Sequence, residues 1–547
     1  MTVSVLPQLV PNSPPSTNAL PATTMTKVTT TKVAVIISGD QAPRWQVEAL
    51  EQLGDLRNVE VTTIVAVPAP EQRSSLATAL RDRWVKRQPV LEATRKTALP
   101  TTLQRLVRRT SDLNAEVASL SADVIICLAP YNVRSARFGQ EVWRIEGNTV
   151  EPCVDAVLDR SHVACLAFVR HDDKVLIQAC LPAISSTYTI SSERLLNTAA
   201  TWPARVLTEW NRAGGSEPAT VIGTAPKARP SAGNLAVLRF LFSNPFQRTE
   251  RQQAWANGEE WNIGVLYQPI STLLTDGNSV NVRWLPAPAE GSQRMEPFGY
   301  MDQEERLTAL YVKLDGRDGK WSIARVRPKG DNVLKRSRQL MTLRPGSGYP
   351  FVVHGSEGPL MVLGSHEDRS TALYRFDGTG EAMEPFRVIL ERPLCSPTLF
   401  QHNGKWWLMG TSPEQPDAEL MAFHAEHMEG PFISHQHMPL KLDLRSARPA
   451  GTPFVVDGQL YRPTIDASVP GQPRIVIQAI DELSPERFVE HTFRQVPLYH
   501  GTAYPHGTRT LCAMGDVTLV DGLRLSGNKA PQKPPSKRHR SSRKKRS

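Results

Sequence analysis

Short apolar runs broken by turn residues dominate this chain, and long amphipathic helices are few. The first run, residues 33–37 (VAVII), is followed by a Gly-Asp turn, a helix-like stretch over 43–53 and an apolar alternation over 59–67. Strand, helix and strand in that order predict a right-handed βαβ unit and therefore a parallel sheet. A further strand is expected at 123–128 (DVIICL), after a helical and basic stretch at 103–109. Residues 162–183 read as two strands turning at His171-Asp172-Asp173, and 191–211 as a closing helix. The front of the chain, 31–212, is thus expected to be an α/β domain built on a parallel sheet, preceded by a disordered segment, 1–30.

Residues 213–233 have linker composition, rich in Gly, Pro and small side chains. Beyond them, over 234–527, the pattern becomes a recurring Gly turn followed by an aromatic or aliphatic strand. It begins at Gly258 (GEEWNIGVLY), Gly319 (GKWSIARV), Gly358 (GPLMVLGS), Gly404 (GKWWLMGTS), Gly458 (GQLYRPTI) and Gly522 (GLRLSG). The spacings, 39 to 64 residues, suit four-stranded propeller blades. An all-β propeller of about five blades is expected, its chain ends sharing a blade to close the ring. A β-sandwich with long loops is the alternative, since it too alternates short strands with turns.

Charge changes this picture only at the end of the chain. The formal net charge is +10, but 528–547 alone hold nine Lys and Arg and no acid, which leaves the rest at +1. A near-neutral body is a poor nucleic-acid groove, while a disordered basic tail can engage nucleic acid or an anionic surface by charge alone. Six cysteines without a CxxC pair argue against a zinc module, and reduced structural thiols are the simpler expectation. No apolar run reaches membrane-span length and the start does not resemble a secretory signal, so a cytoplasmic protein is expected, with Met25 as an alternative start. The stretch after Gly39, GDQAPRW, lacks the spaced glycines of a phosphate cradle, and no motif specifies a cofactor.

Several motifs in order, GEEWNIGVLYQPI (258–270), CSPTLFQHNGKWWLMGTS (395–412), AFHAEHMEGPFISH (422–435), LDLRSARPAGTPFVVDGQLYRPTIDAS (442–468) and IDELSPERFVEH (480–491), resemble the N-terminal propeller region of the glucosamine inositolphosphorylceramide transferase family and its bacterial relatives. That region is similar to the five-bladed propellers of arabinanase-type glycosidases. The resemblance covers roughly 255–525, and the front domain resembles the degenerate formyltransferase-type domain that precedes this propeller in bacterial relatives. In the plant transferase a glycosyltransferase domain follows the propeller; here a basic tail does, so glycosyl transfer of that kind is not expected of this chain alone.

Hydrolysis of a glycosidic bond requires two carboxyl groups about 5 to 10 Å apart across the scissile oxygen, one protonated and one ionised. Against the pattern the resemblance implies, MEPFGY keeps an acid at Glu296, whereas Lys313, Ser365 and Ser396 stand where acids are expected. The catalytic candidates are therefore Glu296, Asp443 and Asp466. Arg445, Arg448 and Arg462, with Tyr461, His435 and Trp407, are the substrate-binding candidates. Guanidinium forks suit phosphate, carboxylate or sugar hydroxyls, but the same arginines can form a structural ion-pair network between blades. Trp406, Trp407 and Trp261 suit sugar stacking or inter-blade packing. His424, His427, His435 and His437 have ligand-like spacings without a completing carboxylate, so no metal is expected.

An active formyltransferase needs an Asn-His-Asp set. Asn132 follows the third expected strand, but 137–148 (RFGQEVWRIEGN) offers no His, and Asp155, Asp159 and His162 stand in no recognisable motif. The expected function is a carbohydrate- or phosphosugar-recognising accessory protein of cell-surface polysaccharide or glycolipid metabolism, with degenerate catalytic machinery. The competing expectations are an active enzyme, either a glycosidase, a sugar transferase or a sugar-amine formyltransferase, and a nucleic-acid-associated protein acting through its tail.

Overall fold

The computed structural model describes residues 30–215 and 258–525, apart from short internal stretches, together with the dipeptide Val3–Ser4. The expected disordered start and linker lie largely outside the described residues, and the basic tail lies wholly outside them.

The front domain carries a seven-stranded sheet. Its order is Val107–Arg109, Val59–Val67, Thr31–Ser38, Val124–Cys127, Glu141–Glu146, Val163–Arg170 and Val175–Pro182. The first five strands run parallel and the last two antiparallel, so the expected parallel sheet is present with an antiparallel edge. Thr31–Ser38 and Val124–Cys127 are the near-continuous apolar runs of the sequence because helices and loops cover both faces of the central strands. The helices Arg44–Gly54 and Tyr188–Arg212 pack together in the larger of the domain's cores, around Trp45, Trp143 and Trp202. Cys165 and Cys180 sit directly opposite each other on the antiparallel edge pair and are joined by a disulfide, which corrects the expectation of reduced thiols throughout. Cys127, Cys153, Cys395 and Cys512 remain free thiols.

The second part is a five-bladed propeller. The first blade runs from Gln293–Met301 outward to Arg338–Thr342, the second from Phe351–Gly355 to Met383–Leu390, the third from Cys395–His402 to Ile433–Ser434, and the fourth from Phe454–Val456 to Phe488–Gln495. The fifth is shared by the ends of the described segment: Leu511–Met514 and Val517–Leu525 supply its inner strands, Glu259–Leu266 and Val282–Trp284 its outer ones. This is the ring closure expected from the sequence, and it excludes two facing sheets. Middle strands such as Gln459–Asp466 are buried along most of their length because neighbouring blades cover both faces. An outermost strand such as Met383–Leu390 is exposed over most of its length.

The two parts share one core. Ala418, Leu442 and Leu444 of the propeller pack into the larger front core, and the Leu444 N–H donates to the Cys180 carbonyl at 2.9 Å. Arg194–Glu419 and Arg487–Glu209 ion pairs, both 2.6 Å, add charge across the same junction. No helix among the described residues is long and apolar enough to cross a membrane.

Candidate functional site

Four blades carry the same local device on, or just before, their inner strands. Glu296, Tyr349 and Ser396 adopt left-handed backbone angles (φ 54°, 63° and 51°) immediately before Pro297, Pro350 and Pro397, and Gly451 (φ 142°) stands two residues before Pro453. Such a conformation costs a non-glycine residue about 1 kcal/mol or more, so it persists only where surrounding contacts hold it. Bulges after Met295 and Cys395 mark the same points in the first and third blades. At Gly451 only glycine fits, because an added Cβ would lie 1.8 Å from the Leu511 carbonyl oxygen.

These residues converge. A Glu296 carboxylate oxygen accepts the Tyr349 N–H at 2.8 Å, and the Tyr349 hydroxyl accepts the Gly451 N–H at 2.7 Å and lies 3.3 Å from Thr398 Oγ1. Arg448, on the connection into the fourth blade, donates from Nε to Ser396 Oγ and from Nη1 to Asp417, both at 2.9 Å; its Nη2 lies 3.6 Å from Glu296. The fifth blade joins through Asp521, which accepts the Glu296 N–H at 3.0 Å and the Arg509 and Thr510 N–H groups at 2.7 and 3.0 Å. Contacts linking all five blades can meet only at the centre of the ring.

The electrostatics follow from burial and pairing. Burial pulls the Arg448 guanidinium pKa down, but Asp417 and Glu296 outweigh it and hold the pKa above its ordinary value. Burial raises the Tyr349 phenol and Cys395 thiol. It also raises the Asp521 carboxyl to about 6, against the lowering effect of its backbone donors. Glu296 and Asp417 flank a single guanidinium, and Asp521 is fully buried among amides. The centre therefore offers a cation held between acids.

The other expected site residues do not join this cluster. Asp443 is buried and bound bidentately by Arg445 at 2.9 and 2.8 Å, on the segment that bridges to Cys180 of the front domain. Asp466 ends a middle strand of the fourth blade and accepts the Ser468 N–H at 2.9 Å. Arg462 is buried; it grips Glu490 with Nε and Nη2 at 2.6 and 2.7 Å and donates to the Ala447 and Ser446 carbonyls at 3.2 and 2.9 Å. Tyr461 stacks on Phe454 at 5.5 Å and meets Phe493 edge-on at 5.2 Å. His435 is buried, with Nδ1 accepting the His437 N–H at 3.0 Å. Trp407 is 1% exposed in a core between the third and fourth blades, and Trp261 is equally buried beneath the Arg509 guanidinium. Of the candidates, Glu296 and Arg448 meet at the centre; the rest make their contacts elsewhere, within or between blades or at the domain junction.

In the front domain, Asn132 is exposed, Asp155 accepts from Asn148 at 3.0 Å and neighbours Arg81, and Asp159 accepts the Ser161 N–H at 2.9 Å. No three His, Cys, Asp or Glu side chains gather to hold a metal among the described residues. Sequence reasoning missed Tyr349, Asp417, Gly451 and Asp521. The signal for the first and third was present: EPF, YPF, SPT and TPF each place a proline on, or just before, an inner strand.

Fold and centre together define a five-bladed β-propeller with an arginine held between acids on its axis. Residues 345–505, spanning the second to fourth blades, match the family model described as Glucosamine inositolphosphorylceramide transferase 1, N-terminal, in agreement with the resemblance read from the motifs. Glucosamine inositolphosphorylceramide transferase 1 of Oryza sativa subsp. japonica is 26% identical over 192 residues, covering 32% of this chain and 26% of that protein. The Arabidopsis thaliana protein of the same name is 29% identical over 193 residues, covering 32% and 25%. The chain thus spans about a quarter of the length of the curated relatives it matches. Among solved structures, a family 117 glycoside hydrolase from Zobellia galactanivorans aligns at 10% identity and TM-score 0.31 over 49% of this chain and 90% of its own. An exo-β-1,3-galactanase from Phanerochaete chrysosporium aligns at 15% and 0.29 over 38% and 54%.

Proposed function

We propose that this chain is a carbohydrate- or phosphosugar-recognising accessory protein of cell-surface polysaccharide or glycolipid metabolism, whose propeller has lost its hydrolytic machinery. One observation carries the reading: Arg448, on the axis, engages Glu296, Asp417 and Ser396 at once. A carboxyl group serving as general acid must be free to hand a proton to a leaving oxygen, and a nucleophilic or basic partner must face it. Here Glu296 and Asp417 both lie against one guanidinium and Asp521 is enclosed by backbone amides, an arrangement that suits an anionic sugar better than a bond to be cleaved. Arg448 uses two of its five N–H groups in hydrogen bonds, leaving donors for a phosphate or carboxylate. The front domain is proposed as a formyltransferase-like scaffold with a docking role, because Asp155 and Asp159 are engaged locally.

The test is a glycan and phosphosugar array probed with the wild-type protein and Arg448→Ala, followed by a hydrolysis assay on each bound sugar. The expected result is binding of anionic sugars that falls at least about tenfold in the variant, without turnover. Wild-type turnover abolished by Glu296→Gln would establish the enzyme instead.

A further inference from the structure

A cavity of about 580 Å³ lies between the two domains. One wall is the helix Tyr188–Arg212 with the strand Val175–Pro182; the other is the propeller segments 436–442 and 487–490. Its volume falls in the range of small-molecule sites, about 300 to 1,000 Å³, and domain junctions are a preferred place for them. Leu176, Trp202, Val206, Met438 and Phe488 make much of the lining apolar.

The cations on these walls are not equivalent. Arg194 pairs with Glu419 at 2.6 Å, Lys441 with Glu490 at 2.8 Å, and Arg487 with Glu209 at 2.6 Å and also with Glu482. Arg205 forms no hydrogen bond or ion pair with any described residue. The acid nearest in effect, Glu209, already serves Arg487 and Arg212. Burial lowers the Arg205 pKa, and Glu209 offsets this in part. A half-buried guanidinium beside apolar side chains is costly until an acceptor reaches it.

We infer that this cavity binds a small carboxylic acid with an apolar body, its carboxylate on Arg205 and its body against Trp202 and Phe488. The charge balance selects a monoanion. One cation is unmatched, and Glu209 and Glu490 on the same lining repel a second negative charge. A carboxylate also matches the planar fork of a guanidinium. This site is separate from the axial cluster, so its test stands apart from that of Arg448.

Isothermal titration calorimetry on the full chain, with phenylbutyrate, phenylbutanol and acetate, tests it. Saturable binding of phenylbutyrate is expected, with phenylbutanol and acetate each weaker by about tenfold or more. Arg205→Gln should bring the acid down to the level of the alcohol without lowering the melting temperature. Ala204→Phe, which narrows the same cavity, should weaken both aromatic probes, and Arg448→Ala should change neither. Equal binding of acid and alcohol, an Arg205→Gln protein that still prefers the acid, or no saturable binding in the wild type would each overturn the inference.

Discussion

Arg448 and Arg462 come from the same short stretch of sequence and are both held by carboxylates, yet their donors are used very differently. Arg462 is 3% exposed; it spends four hydrogen bonds on Glu490 and two backbone carbonyls, and Lys441 binds the same carboxylate at 2.8 Å. Arg448 is 23% exposed at its side chain, makes two hydrogen bonds and stands between carboxylates from different parts of the ring. The first network is saturated and binds the second strand of the fourth blade to its outermost strand. The second keeps donors in reserve where the blades meet. How fully an arginine's donors are used, more than whether it is paired, is what distinguishes the two clusters.

The largest effect should come from breaking the saturated network. Glu490→Gln leaves Arg462 buried beside a neutral amide, which should cost about 3 to 5 kcal/mol in urea unfolding. Arg448→Ala, at the partly open axial cluster, should cost clearly less. If the two variants unfold together, the contrast between the clusters fails.

Next in size is a pH effect whose sign differs between the regions. Burial alone would raise the Glu490 carboxyl, but Arg462 and Lys441 bring it from 4.5 down to about 2. Its stabilisation is therefore complete above pH 4.5 and drains away as pH falls toward 2, a contribution of about 3 kcal/mol. Asp521 runs the other way: burial raises it from 3.8 to about 6, so its contribution is complete below pH 3.8 and is lost as pH rises through 6. Urea midpoints measured from pH 2 to 7 should lose their acid limb in Glu490→Gln, and Asp521→Asn should remove the decline between 3.8 and 6. An unchanged profile in either variant would assign the titration elsewhere.

The ring was legible in the sequence because each blade repeats a turn and an apolar strand, but the repeat's phase was not. Gly358, Gly404 and Gly458 mark the turn between first and second strands, as does Gly515 in the fifth blade, whereas Gly319 marks a later hairpin. The first blade makes its inner turn without glycine, the Asp302 carboxylate accepting the Glu304 and Arg306 N–H groups at 3.0 and 2.9 Å. Gly522 lies mid-strand, where an added Cβ would meet Trp284 at 2.3 Å, so packing requires it. In the front domain Val107–Arg109 is an edge strand inside the stretch expected to be helical, since three residues with two arginines carry too little alternation to reveal a strand. At the centre, Glu296 and Arg448 were legible as an acid and a cation in conspicuous motifs. Tyr349 was marked only by the shared proline motif, and Asp417 by no motif at all, because ring closure alone brings it there from the third blade.

The smallest expected effect tests how Arg448 is held. Ser396 supplies the acceptor for its Nε at 2.9 Å and is itself fixed in a left-handed conformation, φ 51°, which alanine shares at similar cost. Ser396→Ala removes one acceptor and leaves the ion pairs to Asp417 and Glu296 in place. The stability loss should be about 1 kcal/mol, a melting shift of about 2 to 4 °C. Affinity for an anionic sugar should fall by less than about tenfold, since the guanidinium loses orientation and keeps its charge. A loss as deep as that of Arg448→Ala would mean that the hydroxyl itself touches the ligand. Unchanged affinity with unchanged stability would mean that Asp417 and Glu296 alone position the arginine, and the comparison with Arg462 would then rest on carboxylates in both regions.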